Sequence, residues 1–393
     1  MTLFDKCRNF TVAREVQKAG FYPYFREISS APDTEVFVEG QKVIMIGSNN
    51  YLGLTNHPKV IERIHKAVDK YGSGCTGSRF LNGTLDLHVE LESKLAEFMG
   101  TEAALVFSTG FQTNLGTIST IVSKSEYIFA DRSDHASIVD GCRLSFGNTI
   151  KYRHNDMDDL KRVIEKIPLE SGKLIVTDGV FSMEGDIVNL PRLVEIAGEF
   201  NAQVLVDDAH SIGVLGETGR GTAEHFHLQD KVDLVMGTFS KSFASIGGYI
   251  AGAEEVIHYI KHSSRPLIFS ASPPPAAVAT VLATLEIIQE EPERRTRLWE
   301  ITGRMHHEFK SMGFDLGTSQ TPIIPIHIGE DMKTFQFWRD LADEGLFTNP
   351  VVSPAVQPGQ ALIRTSYTAN HTDEQLDRVL EVFNKTGKKF GII

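Results

Sequence analysis

Helical periodicity and short apolar runs alternate along this chain from about residue 57 to residue 252. The stretch "HPKVIERIHKAVDKYG" (57–72) spaces its apolar residues for a helix, with Pro58 near its start and Gly72 at its end, and "HVELESKLAEFMG" repeats the design. Candidate strands follow at 103–108 ("AALVFS"), 126–131, 173–179, 202–208, 232–238 and 247–252. Most are apolar on both faces and separated by helical stretches, which is the pattern of strands buried in a mainly parallel sheet. Residues 1–45 read as a helix and then a hairpin, with the turn at Glu39–Gly40. After the proline run at 273–275 the rhythm changes to a long helical region, a strand at 322–328, a helix near 332–345, a strand at 362–367 and a last helix from about 372. The expected fold is α/β: an N-terminal segment (1–45), a large mainly parallel-sheet domain (46–280) and a smaller α+β C-terminal domain (281–393).

Polar residues are not scattered over this frame. Five clusters stand where the apolar runs stop: "STGFQTN" (108–114), "DRSDHAS" (131–137), "DGVFSMEGD" (178–186), "DDAHS" (207–211) and "GTFSKS" (237–242). Ligands of open α/β sheets bind beyond the carboxyl ends of the strands, so all five are expected to face one site. Within them Lys241 is hemmed in by small and hydroxyl residues straight after an apolar strand. A strand-end carboxylate, Asp207 or Asp208, precedes His210 and calls for a cationic partner or a helix-capping role. Small residues from Ser108 to Gly110 open a helix whose free N–H groups suit an anion. His135 is placed to stack on a ring or move a proton, and Arg364, in "LIRTSY", offers the fork that binds a carboxylate. The Gly/Ser/Thr-rich stretch 71–88 reads as a loop lining the site.

Composition adds bounds rather than detail. The 393 residues are 41% hydrophobic and 23% charged, enough for a sizeable core, and the formal net charge of −12 argues against a general nucleic-acid or anionic-membrane binder. Cys7, Cys75 and Cys142 are odd in number and far apart, with no metal-ligand spacing, which fits a reducing cytoplasm and no metal. The N-terminal stretch has no continuous apolar h-region. No run reaches the ~18 apolar residues of a membrane span, which leaves peripheral contact with the inner membrane open.

A lysine, a strand-end aspartate, an anion-binding helix start, a stackable histidine and a carboxylate-binding arginine together make the set of groups that pyridoxal 5'-phosphate (PLP) requires. "STGFQTNLG", "DHASIVDG", "TDGVFSMEGD", "VDDAHS" and "GTFSKS" resemble the motifs of the α-oxoamine synthases, fold-type I PLP enzymes (aspartate-aminotransferase-like) that join an amino acid to an acyl-CoA with loss of CO₂. The resemblance runs from about residue 20 to 380. "GSGCTGSRFLNGTLDLHVELE", "MGTFSKSFASIGG" and "NPVVSPAV" resemble the soluble bacterial serine palmitoyltransferase branch, which implies L-serine and palmitoyl-CoA as substrates and 3-oxosphinganine as product, the first step of sphingolipid biosynthesis. Glycine, alanine or cysteate, or another acyl-CoA, remains the alternative. The resemblance implies these roles: Lys241 as Schiff-base lysine and base; Asp207 at the pyridine nitrogen; His210 and Ser182 beside the ring oxygen; His135 on the ring face; Gly110, Phe111, Thr238 and Ser240 at the phosphate, with Ser272 from the other subunit of a homodimer. Arg364 would bind the substrate carboxylate, helped by Asn49 and Ser78. A non-catalytic partner subunit would lack the lysine, and transamination or aldol cleavage would be a different use of the same cofactor.

Overall fold

A computed structural model gives residues 2–393. The chain contributes strands β1 (Glu35–Val38), β2 (Gln41–Met45), β3 (Ala103–Phe107), β4 (Tyr127–Asp131), β5 (Asn148–Tyr152), β6 (Lys173–Asp178), β7 (Gln203–Asp207), β8 (Leu234–Thr238), β9 (Gly248–Gly252), β10 (Ile323–Gly329), β11 (Leu346–Phe347), β12 (Asn349–Val351) and β13 (Ala361–Ser366). Seven of them form one sheet in the order β3-β9-β8-β7-β6-β4-β5. Neighbours from β8 to β5 are parallel, and β9 alone runs antiparallel, to both β3 and β8. The carboxyl ends of six strands and the start of β9 therefore share one edge.

The apolar runs are continuous because both faces of this sheet are covered. Leu105, Ile128, Leu174, Leu205, Leu234 and Ile250 pack on one face with Ile118, Ile138 and Ile257 of helices Gly110–Ile121, Ala136–Leu144 and Glu254–Ser263. Their sequence neighbours Phe129, Ile175, Val204 and Val206 point the other way, onto Leu160 and Leu193 of helices Met157–Ile164 and Leu190–Glu199. Alternate residues serve opposite cores, as the period of a strand requires. Helices Pro58–Tyr71, Asp86–Met99 and Pro275–Glu290 complete the second face around Val106, Val235 and Tyr249.

The C-terminal segment builds an antiparallel sheet, β10-β13-β12, against helices Glu293–Met312, Asp331–Asp343 and Asp373–Lys389. Arg364 lies on its middle strand, opposite Pro325 on one side and Asn349 on the other. The hairpin β1–β2 turns at Glu39 and Gly40, both with positive φ (52° and 79°), and β2 pairs in parallel with β11 from the C-terminal segment.

Three local features differ from the sequence expectation. The N-terminal helix is two short helices, Asp5–Arg8 and Val12–Lys18, neither of which buries a residue. β5 carries no apolar run because most of its residues face outward at one sheet edge, whereas β3 at the other edge is covered. β11 and β12 are two and three residues long, too short to show a period.

At the centre of the C-terminal core the fully buried Phe383 ring lies 5.1 Å from Phe309, 6.0 Å from Phe337 and 6.1 Å from Phe314, centroid to centroid. Phe383→Ala is expected to destabilise this part of the molecule by about 3–5 kcal/mol, read as a lowered urea midpoint.

Candidate active site

The five polar clusters meet at the carboxyl edge of the large sheet. A cavity of about 340 Å³ is lined there by residues that end or follow β3 (Gly110, Phe111), β4 (His135), β6 (Ser182), β7 (Asp207, His210) and β8 (Thr238, Ser240, Lys241). A larger groove, about 660 Å³, opens at the opposite edge among the strand starts, beside Glu102, Glu126 and Asp233. None of the residues singled out in the sequence lines it. Its rim groups already have partners, Glu126 accepting from Ser123 in a local turn and Asp233 from the Val204 N–H of the neighbouring strand. The smaller cavity holds the chemistry.

Lys241 projects into this cavity and is half-buried. Burial is the main reason its amine is less basic than usual, and Arg364 adds to the effect. Asp207 and Asp178 pull the other way, and the balance leaves the amine at about 8. None of these influences is a hydrogen bond, so the nitrogen is uncommitted. Asp207 is 2% exposed; it accepts from the Ala209 N–H (2.9 Å) and from Asn114 Nδ2 (2.6 Å). Its neighbour Asp208 turns away, accepting from the N–H and hydroxyl of Thr222 (2.9 and 2.5 Å). The choice between two adjacent aspartates, open in the sequence, is settled by strand alternation: one faces the cavity and one pins the loop at 211–222.

Hydrogen bonds lead from the Asp207 carboxylate to His135. Asn114 Nδ2 also donates to Ser137 Oγ (2.9 Å), and that hydroxyl lies 2.8 Å from His135 Nδ1. The same Nδ1 accepts from the Ser137 N–H (3.2 Å), so it is unprotonated and the ring's proton sits on Nε2. Burial holds this imidazole below the usual histidine range. Its backbone N–H donates to Asp178 Oδ2 (2.8 Å), fixing the residue at the head of helix Ala136–Leu144.

Two glycines make the cradle at the head of helix Gly110–Ile121. A Cβ on Gly110 would sit 2.5 Å from Thr238 Oγ1, and one on Gly248 would sit 2.8 Å from the Gly110 Cα. Only without side chains can the helix start, β8 and β9 converge. Thr109 caps the helix by accepting from the Gln112 N–H (3.1 Å), which leaves the first-turn N–H groups of Gly110 and Phe111 to the cavity. Thr238 and Ser240 face them, their hydroxyls 3.0 Å apart.

The residues expected at the substrate carboxylate stand behind this cavity rather than on its wall. Arg364 is 5% exposed; it donates from Nε to the Ser182 carbonyl (2.6 Å) and from Nη2 to Asn49 Oδ1 (3.0 Å). Through Ser182 it touches the cavity's edge. Ser78 and Ser272 are not brought in. Ser272 donates to the Gly83 carbonyl (2.6 Å), and the Ser78 hydroxyl is buried without a partner. Ser78 bridges to Ala271, in the segment that carries Ser272.

Asp178, Asn114 and Tyr51 belong to the site and were not singled out in the sequence. The first two lie inside motifs that were, in "TDG" and "STGFQTN"; Tyr51 lies between strands and carried no signal.

PLP makes three demands: a reactive amine, an acid at its ring nitrogen and a phosphate cup. A lysine amine at about 8, a buried carboxylate and a helix start kept open by Gly110 meet them within one cavity. The chain belongs to the aminotransferase class I and II family, whose model matches residues 41–383, and within it to the α-oxoamine synthases. It is 55% identical to serine palmitoyltransferase of Sphingobacterium spiritivorum over 96% of this chain and 95% of that one. It is 44% identical to 8-amino-7-oxononanoate synthase of Thermoanaerobacter pseudethanolicus, over 96% of each. A serine palmitoyltransferase variant from S. paucimobilis, solved with a PLP–myriocin aldimine, superposes with a TM-score of 0.97 at 37% identity over the whole of both chains. For 8-amino-7-oxononanoate synthase of Francisella tularensis the TM-score is 0.77 at 27% identity, over 89% of this chain and 99% of that one.

Burial lowers the Lys241 amine from the usual lysine value of 10.5 to about 8, so its free-base fraction rises through pH 8 instead of through 10.5. In the ligand-free protein, imine formation at Lys241 with a small aldehyde should therefore reach half its maximal rate near pH 8. Borohydride trapping and peptide mass spectrometry between pH 6 and 11 measure this, with surface lysines as the internal reference.

Proposed function

We propose that this chain condenses L-serine with palmitoyl-CoA to 3-oxosphinganine, releasing CO₂ and CoA, with PLP as cofactor and as a homodimer in the cytoplasm. The observation that carries the reading is the full-length 55% identity to a serine palmitoyltransferase, against 44% to an 8-amino-7-oxononanoate synthase. The structural comparison ranks the two activities the same way.

When bound, the cofactor supplies an aldehyde that captures amines and a ring that accepts the electron pair of a Cα carbanion. The protein's part is positioning and proton movement. Lys241 Nζ anchors the cofactor. Because its free base is populated near neutral pH, the same nitrogen takes the Cα proton of serine and returns one at the end. Asp207 holds a proton at the ring nitrogen, fixed for that task by Ala209 and Asn114. His135 and Phe111 wall the ring. Gly110 and Phe111 N–H groups, with the Thr238 and Ser240 hydroxyls, hold the phosphate, and Ser182 and His210 serve the ring oxygen. Arg364, with Asn49, holds the serine carboxylate until it leaves as CO₂.

Ser78 and Ser272 take their roles only across a dimer, where one copy's outer loop reaches the other's cavity. The exposed Phe80, Leu81, Phe111 and Phe269 support this. Their segments are tied into one neighbourhood by the Ser78–Ala271 bridge, by the bond from Ser108 to the Ala271 carbonyl and by that from Gln112 to Ser270 (3.0 Å). An apolar rim around a polar site suits burial against a second copy. Among the described residues, no helix is long and apolar enough to cross a membrane.

A matrix of serine, glycine, alanine and cysteate against acyl-CoAs of several lengths, read by product mass, tests the assignment. Serine with palmitoyl-CoA is expected to be fastest, and glycine with acetyl-CoA outpacing it would refute the substrates. Lys241→Ala is expected to abolish the borohydride-reducible visible absorption of the holoenzyme; a reducible imine surviving in that variant would refute the anchor.

A further inference from the structure

We propose that Tyr51 is a positioning residue for the reaction: its hydroxyl fixes the tautomer of His210, so that the cavity receives an N–H, and ties that imidazole to the arginine behind it. The proposal rests on the function above for what fills the cavity.

Tyr51 comes from the link between β2 and helix Pro58–Tyr71, away from the strand ends that build the rest of the site. It is 1% exposed, and its hydroxyl stands 2.6 Å from His210 Nδ1. Burial pushes the phenol up to about 12, against the opposing pull of Arg364 and Ser366, so it keeps its proton. His210 is neutral: burial first, then Lys241, Arg364 and His135, hold it well below the usual histidine range. Asp207 lines the same cavity.

The short contact between two neutral groups carries one proton, and geometry says whose. If Nδ1–H donated to the phenol, the phenol's own proton would need another acceptor. Two side-chain oxygens lie near it: the buried Ser366 hydroxyl, which makes no hydrogen bond, and Asn49 Oδ1, which is 3.4 Å away and already accepts from Arg364. That distance lies outside the usual range of about 2.5–3.0 Å for an O–H···O bond. The Tyr51 hydroxyl therefore donates to Nδ1, and the imidazole's single proton sits on Nε2, the nitrogen left for the cavity. His210 presents a donor there, suited to an anionic oxygen on the cofactor ring. Arg364 acts directly on the same phenol, pulling its pKa down against the effect of burial, so a carboxylate arriving at Arg364 acts on the group that orients His210.

Two measurements test this. In protein labelled with ¹⁵N in its histidine rings, with His210 assigned by its loss in His210→Asn, the expected state is a bare Nδ1 and a protonated Nε2. A protonated Nδ1 with a bare Nε2 overturns the proposal. Tyr51→Phe keeps the ring and removes the hydroxyl. The pH midpoint of the holoenzyme's visible band is expected to move by about one unit, and the L-serine dissociation constant read from that band to rise about ten-fold. An unchanged midpoint with an unchanged constant also overturns it. Should Tyr51→Phe fail to take up cofactor, the ¹⁵N spectrum alone decides. Should the unaltered protein lack a chromophore reducible at Lys241, the proposed function falls, while the His210 tautomer in the ligand-free protein still tests Tyr51.

Discussion

The site depends on keeping a lysine amine out of water at the edge of an apolar sheet. Burying a charged amine is costly, and the protein avoids much of the cost by letting the group lose its proton near pH 8. Two carboxylates, Asp207 and Asp178, oppose that loss, and Arg364 assists it. The pair of acids is what holds the amine within reach of neutral pH: deeper burial without them would lower it further, and open exposure would return it towards 10.5.

The architecture follows from that requirement. Helices cover both faces of the large sheet, so the strands can be wholly apolar and their carboxyl edge becomes the natural place for polar groups. β9 runs backwards between β3 and β8, and its first glycine residues lie against the helix start at Gly110 and the end of β8. The cradle therefore needs small residues on three separate elements at once.

The buried groups that carry the charge and the proton around the amine find partners that also orient them. Asp207 is held by Asn114 and Ala209, His135 by Ser137 and Asp178, Arg364 by Ser182 and Asn49. Satisfied in this way, the groups cannot turn to alternative partners, and the geometry is set before any ligand arrives. His154 plays a supporting part outside the cavity. Its ring bridges Asp131 and Asp186 (3.1 and 3.2 Å); burial opposes its charge, but hydrogen bonds to the two carboxylates raise it to about 10. That cross-link joins the end of β4 to the loop that carries Ser182.

The order of most strands and helices and the strand-end clusters that bring Lys241, Asp207, His210 and His135 to one cavity were legible in the sequence. They depend on local signals: an apolar run must stop where the sheet stops, and polar residues clustered there have one edge to face. The edge strand β5 was not legible, because a strand with one neighbour and an outward face need not be apolar. The residues alone left Asp207 and Asp208 open and only the resemblance pointed to Asp207; side-chain alternation turns that one to the cavity. The retreat of Arg364 behind the Ser182 carbonyl, the outward position of Ser78 and Ser272 and the contact of Tyr51 with His210 are long-range. Residues 51 and 210 share no element, period or motif. Their 2.6 Å contact exists only because the link after β2 is folded against the end of β7, and a one-dimensional pattern records periods and local neighbours, not which distant loops the packed core brings together.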